Sequence, residues 1–271
     1  MVLFLQWVFY NIVTDFMSMA RLSHTLGILL LFLLLSCKGG KQLVGVESST
    51  LELSGTANAA EDSAVLKLIQ PYKTVIDKEM NEVLIQSDQP LTKGEPEGAL
   101  GSFIADIILS EGNKRYGARS GLAADFCMLN NGGLRIALPM GAITKGHIFE
   151  LMPFENEIVV ITLSGAKTKD LLDYIAARNG VPVAGLKMGI KDKVLTKAEI
   201  NGQPFDPNKN YRIITSDYLA GGGDKMGFFK DAQIETLNYK IRDAIIDYLR
   251  EESKKGKSIS YTVDGRIYYE Q

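Results

Sequence analysis

The chain has 271 residues, 46% of them hydrophobic and 23% charged, with a formal net charge of -2. That length supports one sizeable core or two small ones, and a near-neutral chain with no basic stripe excludes a nucleic-acid binder. Two cysteines, Cys37 and Cys127, and two histidines, His24 and His147, exclude a disulfide framework and a cysteine-rich zinc site.

From the N-terminus, a single cation at Arg21 precedes an apolar run, Leu26 to Leu35, which ends in Leu-Ser-Cys. A run of about ten residues fits the apolar segment of a signal peptide and is short for a membrane span, which needs roughly 20. The "LLSC" stretch resembles a bacterial lipobox, which implies lipidation at Cys37; an ordinary cleaved signal with an incidental cysteine is the plainer alternative. Residues 1–18 read as an upstream extension, with Met17 or Met19 the more ordinary signal start, so 1–36 is assigned to the signal. Residues 37–62, rich in Gly, Ser and Ala, form a flexible tether, and residues 63–271 the folded domain.

Within 63–271, "AVLKLIQPYKTVIDKEMNEVL" has helical apolar spacing with a break or kink expected at Pro71. "PEGALGSFIADIILSEGNKRYG" predicts a second helix with a Leu100, Phe103, Ile104, Ile107, Ile108 stripe and a C-cap at Gly117. A short strand "DFCML" follows, then a buried strand "ENEIVVITLSG" and a helix bounded by Ser164 and Gly180. "VPVAGLKMGI" and "KAEINGQPF" suit strands, the latter with a tight "NGQP" turn, and "NYRIITSDYLAGGGD" is a strand running into a glycine loop. "IETLNYKIRDAIIDYLREESKK" predicts one long amphipathic helix, and "YTVDGRIYY" a closing hairpin about Asp264 and Gly265. Helices and strands alternate without a regular βαβ repeat, so the expected class is α+β with a mixed sheet.

Three loops at strand ends carry the chemistry. "NNGGLR" supplies Asn130 and Arg135, "PFEN" supplies Phe154 and Asn156, and "YLAGGGD" supplies Tyr218, Gly222, Gly223 and Asp224. Two rings, two amides, a carboxylate and a guanidinium suit a nucleoside: rings stack on a flat base, and a carboxylate accepts from sugar hydroxyls. Glycines beside the acid let a ligand approach the main chain closely. Each loop also has a plainer reading: "NNGG" as a turn, Phe154 as core, and Asp224 as a cap. No "GxSxG" elbow is present, His147 reads as structural, and Cys127 reads as a buried apolar filler. A dinuclear phosphoesterase needs several His, Asp and Asn ligands around metals about 3.5–4 Å apart. One histidine after the signal cannot supply them, so no catalytic or metal-binding residue is assigned.

The order and spacing of "EGALGSFIAD", "NNGGLR", "GAITKGHIFELMPFEN", "VVITLSG" and "NYRIITSDYLAGGGDKMGFF" resemble the C-terminal domain of the 5'-nucleotidase family. That resemblance implies an α+β, four-layer α/β/β/α fold that sets nucleotide specificity, with two metals and phosphate-ester cleavage belonging to a separate metallophosphoesterase domain. It implies that Phe154 and Tyr218 sandwich the base, that Asp224 accepts from the ribose, that Asn130 meets the base edge and that Asn156 borders the pocket. Arg135 would face the sugar and phosphate, where a guanidinium suits an anion. Tyr218 stands where phenylalanine is more usual. Lys93 in "LTKGEPEG" stands near where the family often has a further arginine, which implies weaker phosphate-side binding.

Three functions follow as expectations, one of them a structural or interaction protein that keeps only a vestigial pocket. The first is a bacterial cell-envelope lipoprotein, membrane-anchored through its N-terminal lipid. It would be the recognition half of a split 5'-nucleotidase, needing no cofactor itself, with divalent metals in a separate metallophosphoesterase partner. The alternative is a stand-alone lipoprotein that captures nucleosides or nucleotides and has no catalytic role.

Overall fold

The computed structural model describes Ser48, residues 62–229 and residues 232–271. Cys37, the proposed signal and nearly all of the tether lie outside the described residues. The elements run α1 (Ser63–Met80), β1 (Val83–Ser87), α2 (Ala99–Ser120), β2 (Phe126–Met128), β3 (Gly141–Thr144), α3 (Lys145–Leu151) and β4 (Glu157–Leu163). They continue α4 (Gly165–Ala177), β5 (Val183–Ala184), β6 (Leu186–Lys191), β7 (Val194–Ile200), β8 (Gln203–Pro204) and β9 (Tyr211–Ser216). A one-turn α5 (Asp217–Ala220), β10 (Gln233–Lys240), α6 (Ile241–Lys254) and β11 (Ile267–Tyr269) complete the order.

A five-stranded sheet in the order β10-β4-β9-β2-β5 forms the centre. It is mixed, because β2 pairs parallel with β9 and antiparallel with β5. β4 reads as a continuous apolar run because both its faces are buried. Ile158 and Val160 join the core built by Leu100, Ile104, Ile245 and Leu249 of α2 and α6. Val159, Ile161 and Leu163 join the second core, with Leu171, Leu172 and Ile175 of α4 and Met188 and Ile190 of β6. That second core is shared with a four-stranded sheet, β11-β6-β7-β8, and β1 and β3 make a separate pair. The α+β class expected from the sequence is the fold observed.

Four local expectations are corrected. α1 passes through Pro71 without a break, and none of its residues is buried; on an exposed helix, water can satisfy the carbonyl that proline leaves unpaired. α2 runs beyond Gly117 to a left-handed cap at Gly121 (φ 71°), whose N–H donates to the Gly117 carbonyl. The single C-terminal helix divides: residues 233–240 form β10, zipped antiparallel onto β4, and only Ile241 onward is helical. Tertiary pairing there overrides a weak local preference. The closing hairpin does not form, since β11 pairs parallel with β6 and Arg266 holds Asp264 at 2.8 Å.

The Glu97 to Asp106 motif also has a structural task. The Glu97 carboxylate accepts from Ser102 Oγ at 3.0 Å. Arg266 donates to both Asp106 oxygens (2.7 and 3.1 Å) and to the Val183 carbonyl (2.8 Å), fastening the C-terminal segment onto α2. Burial alone would lower the Arg266 pKa, but hydrogen bonds to Asp264 and Asp106 outweigh it and raise it above the ordinary arginine value.

Candidate functional site

The first loop leaves β2, whose Phe126, Cys127 and Met128 are all buried, so the chain emerges at Asn130 from a rigid base. Asn130 is extended and starts a 3-10 turn over Asn131–Gly133. A Cβ on Gly133 would lie 2.8 Å from Asn130 Oδ1, so glycine there makes room for the Asn130 amide. Arg135 Nη1 donates to the Gly132 carbonyl at 3.1 Å, and the Arg135 N–H donates to the Leu151 carbonyl at 2.8 Å, tying this loop to the end of α3.

The second loop follows α3. A reciprocal cap starts that helix: Thr144 Oγ1 accepts from the His147 N–H, and His147 Nδ1 accepts from the Thr144 N–H. His147 is therefore structural. Pro153 to Asn156 is held from behind by Arg242 of α6, only 6% exposed, whose Nη1 donates to the Met152 and Phe154 carbonyls at 3.3 and 3.4 Å. The Arg242 guanidinium lies 4.2 Å from the Phe149 ring centroid, and its Nη2 pairs with Glu155. Lys240 and then Arg242 hold the Glu155 carboxyl down to about 2. Phe154 itself is 41% exposed, which is unusual for a large apolar side chain on a braced loop.

The third loop begins with Ser216, which ends β9 and caps α5 by accepting from the Leu219 N–H at 3.1 Å. Tyr218 sits on this single turn, not on the strand, and is 47% exposed. Gly222 (φ 94°), Asp224 (φ 52°) and Lys225 (φ 67°) are left-handed, so Asp224 carries a conformation that costs a non-glycine residue about 1 kcal/mol or more. The carbonyl of Asp224 is anchored from α4 by Tyr174 Oη and Arg178 Nη2, both at 3.0 Å. Its carboxylate is held on both oxygens: Asn130 Nδ2 donates to Oδ2 at 2.7 Å, and Tyr218 Oη donates to Oδ1 at 3.0 Å.

All six side chains singled out in the sequence, Asn130, Arg135, Phe154, Asn156, Tyr218 and Asp224, line one cleft of about 310 Å³ together with Gly132 and Gly133. The Arg135 guanidinium stands 6.0 Å from the Phe154 ring centroid. Gly222 supplies the left-handed turn. Gly223 meets an unexpected neighbour: a Cβ there would lie 2.5 Å from Tyr218 Cζ, so the bare backbone is covered by the chain's own ring. Asn130, expected on a base edge, has one amide N–H committed to Asp224.

The sequence reading missed Tyr174, Arg178 and Arg242. A faint signal existed for Arg242, which falls four residues before Ile246 on the buried stripe of α6. Nothing in the sequence marked Tyr174 and Arg178, because their partner is a backbone carbonyl. Burial raises the pKa of the Cys127 thiol, in keeping with a packing role. Among the described residues, no three His, Cys, Asp or Glu side chains converge as metal ligands.

A family model described as "5'-nucleotidase, C-terminal domain" matches residues 80–231. Cell wall protein Lmo0130 of Listeria monocytogenes is 26% identical over 242 residues, 79% of this chain and 30% of that protein. Protein UshA of Yersinia enterocolitica is 26% identical over 246 residues, 84% of this chain and 42% of the relative. A 5'-nucleotidase precursor from Thermus thermophilus superimposes with a TM-score of 0.63 at 23% identity, over 77% of this chain and 43% of that structure. The NAD nucleotidase of Haemophilus influenzae gives a TM-score of 0.57 at 19% identity, over 77% of this chain and 41% of that one. The chain thus spans less than half the length of each of these proteins. With its fold and its sequence in agreement, the chain belongs to the 5'-nucleotidase family, through that family's C-terminal domain.

Proposed function

We propose that this chain is the nucleotide- or nucleoside-recognition half of an extracytoplasmic 5'-nucleotidase, anchored in the bacterial envelope by a lipid on Cys37. A separately encoded metallophosphoesterase would supply the metals and cleave the phosphate ester. The observation that carries the reading is the single cleft in which Phe154, Tyr218, Asp224, Asn130 and Arg135 meet. Two half-exposed rings suit a base, the fixed carboxylate suits sugar hydroxyls, and Arg135 suits the phosphate side. An envelope location is supported by the relative named as a cell wall protein. A surface for the partner is supported by α1, where Val65, Leu68, Ile69, Tyr72, Val75 and Ile76 lie exposed at helical spacing.

Calorimetric titration of adenosine and AMP into the purified full chain tests the recognition site. Saturable binding, weakened by Phe154→Ala, is the expected result; no binding at millimolar ligand overturns it. Adding the metallophosphoesterase with divalent metal should give AMP hydrolysis that neither protein gives alone. No gain over the partner alone would sink the split enzyme. A second reading, a stand-alone capture protein, is supported by residues of this chain alone lining the cleft. It requires comparable affinity for nucleoside and nucleotide and no effect of any partner.

A further inference from the structure

The structure assigns a second role to Tyr218, beyond a stacking ring. We propose that its hydroxyl makes the cleft selective for a vicinal diol, and so for ribonucleosides over 2'-deoxyribonucleosides. This inference rests on the nucleoside reading above.

An ionised carboxylate offers about four acceptor positions, two on each oxygen. In this cleft Tyr218 Oη occupies one position on Oδ1 (3.0 Å), and Asn130 Nδ2 occupies one on Oδ2 (2.7 Å). One acceptor position remains on each oxygen. The two donors come from different loops and hold the carboxylate on both oxygens, which leaves acceptor capacity on each for one of two adjacent hydroxyls. The rest of the residue is also fixed. Its carbonyl is held by Tyr174 and Arg178, and its N–H donates to Tyr218 Oη at 3.3 Å. That backbone contact makes the hydroxyl an acceptor from Asp224 N–H and a donor to Asp224 Oδ1, which fixes the phenol's own orientation.

Two further observations point to the hydroxyl and not to the ring alone. The phenol packs on Gly223 so closely that any Cβ there would overlap Cζ and Cε1, at 2.5 and 2.6 Å; the loop is shaped around this placement. Tyr218 nevertheless keeps 47% exposure and lines the cleft, so the same side chain faces the ligand and orients the acid. A phenylalanine would retain the stacking face and lose the clamp. The carboxylate would then be held on Oδ2 only and could turn about its terminal torsion, which is broad for aspartate. The second hydroxyl would then meet an acceptor no longer held at a fixed position, a weakening of up to about 10-fold in affinity.

The test measures dissociation constants of adenosine, 2'-deoxyadenosine and adenine for the full chain and its Tyr218→Phe, Asp224→Ala and Tyr218→Ala variants. For the unaltered chain, adenosine should bind about 10-fold or more tightly than 2'-deoxyadenosine, and Asp224→Ala should abolish the difference. Tyr218→Phe should cut the adenosine-to-deoxyadenosine ratio to about 3 or less, whereas Tyr218→Ala should weaken all three ligands. An unchanged ratio in Tyr218→Phe overturns the proposal. So does a gain in adenosine affinity, which would make the hydroxyl a competitor for the acid. Equal binding of both nucleosides by the unaltered chain overturns it while leaving base recognition standing; no binding of any ligand overturns the nucleoside reading itself.

Discussion

Replacing Arg242 by methionine tests how the Phe154 wall of the cleft is held. Methionine keeps the apolar stem against Phe149 and removes the guanidinium, which donates to the Met152 and Phe154 carbonyls at 3.3 and 3.4 Å. A hydrogen bond from a charged donor contributes about 1.5–3 kcal/mol; at these long distances about 1 kcal/mol each is the reasonable figure. The cation–π contact at 4.2 Å adds about 1 kcal/mol. Against this, Arg242 Nε is buried without a partner, and removing it returns about 1 kcal/mol. The Glu155 pairing is left out because that carboxylate is solvent-exposed. The net loss is about 2 kcal/mol, a fall in Tm of about 4–8 °C for a unit the size of Glu61–Gln271. Adenosine affinity, measured where the variant is fully folded, should fall about 10-fold as Phe154 loses its brace. A Tm within 1 °C of the parent, with affinity unchanged, would refute the idea that α6 positions this loop.

Gly223→Ala should drive the Tyr218 ring off Asp224 and shift the loop backbone, since the added methyl lies 2.5 Å from Tyr218 Cζ and 2.6 Å from the Tyr218 carbonyl oxygen, and weaken adenosine about 10-fold with a modest loss of Tm. Arg266→Met should do the reverse. Leaving Glu97 and Asp106 unpaired costs about 2–4 kcal/mol, read as a Tm loss larger than that of Arg242→Met, with nucleoside affinity intact because Arg266 is not part of the cleft. The Glu155 pairing predicts a pH signature. Its folded-state pKa is depressed from 4.5 to about 2, so its contribution is complete above about pH 5 and disappears as pH falls through 2. The Tm difference between the parent and Glu155→Gln should be constant from pH 7 to 5 and shrink steadily toward pH 2; a difference as large at pH 2 as at pH 7 would contradict the assignment.

The cleft was legible because its residues are of types that rarely share one surface: two rings, two amides and an acid beside bare glycines. Neutral capping was legible too, as at Ser164, which accepts from the Lys167 N–H. What stayed hidden depends on partners distant in sequence. Residues 233–240 became a strand because β4 offered an edge, and nothing local distinguishes them from the helix that follows. Asp264 and Gly265 looked like a hairpin turn, yet Arg266 was pulled toward Asp106, 160 residues away. The braces of the site were hidden for the same reason: Arg178 and Arg242 reach backbone carbonyls, which every residue possesses. The placement of Tyr218 on Gly223 was half legible, since the triple glycine announced a close approach but not that the chain itself would make it.

The hydrogen bond between Asn130 and Asp224 joins the first and third loops, while the Phe154 loop is braced by Arg242 of α6 and, at Glu155, by Lys240 of β10. The cleft is therefore mechanically unequal, one welded wall facing one that is separately hung. Changes behind Phe154 should combine additively with changes at Asp224, whereas changes at Asn130, Tyr218 and Asp224 should not combine additively with one another. Such a division lets the ring-bearing wall drift toward a different flat ligand without disturbing the sugar-facing wall, so base preference is the more evolvable half of the specificity and diol selection the more conservative half.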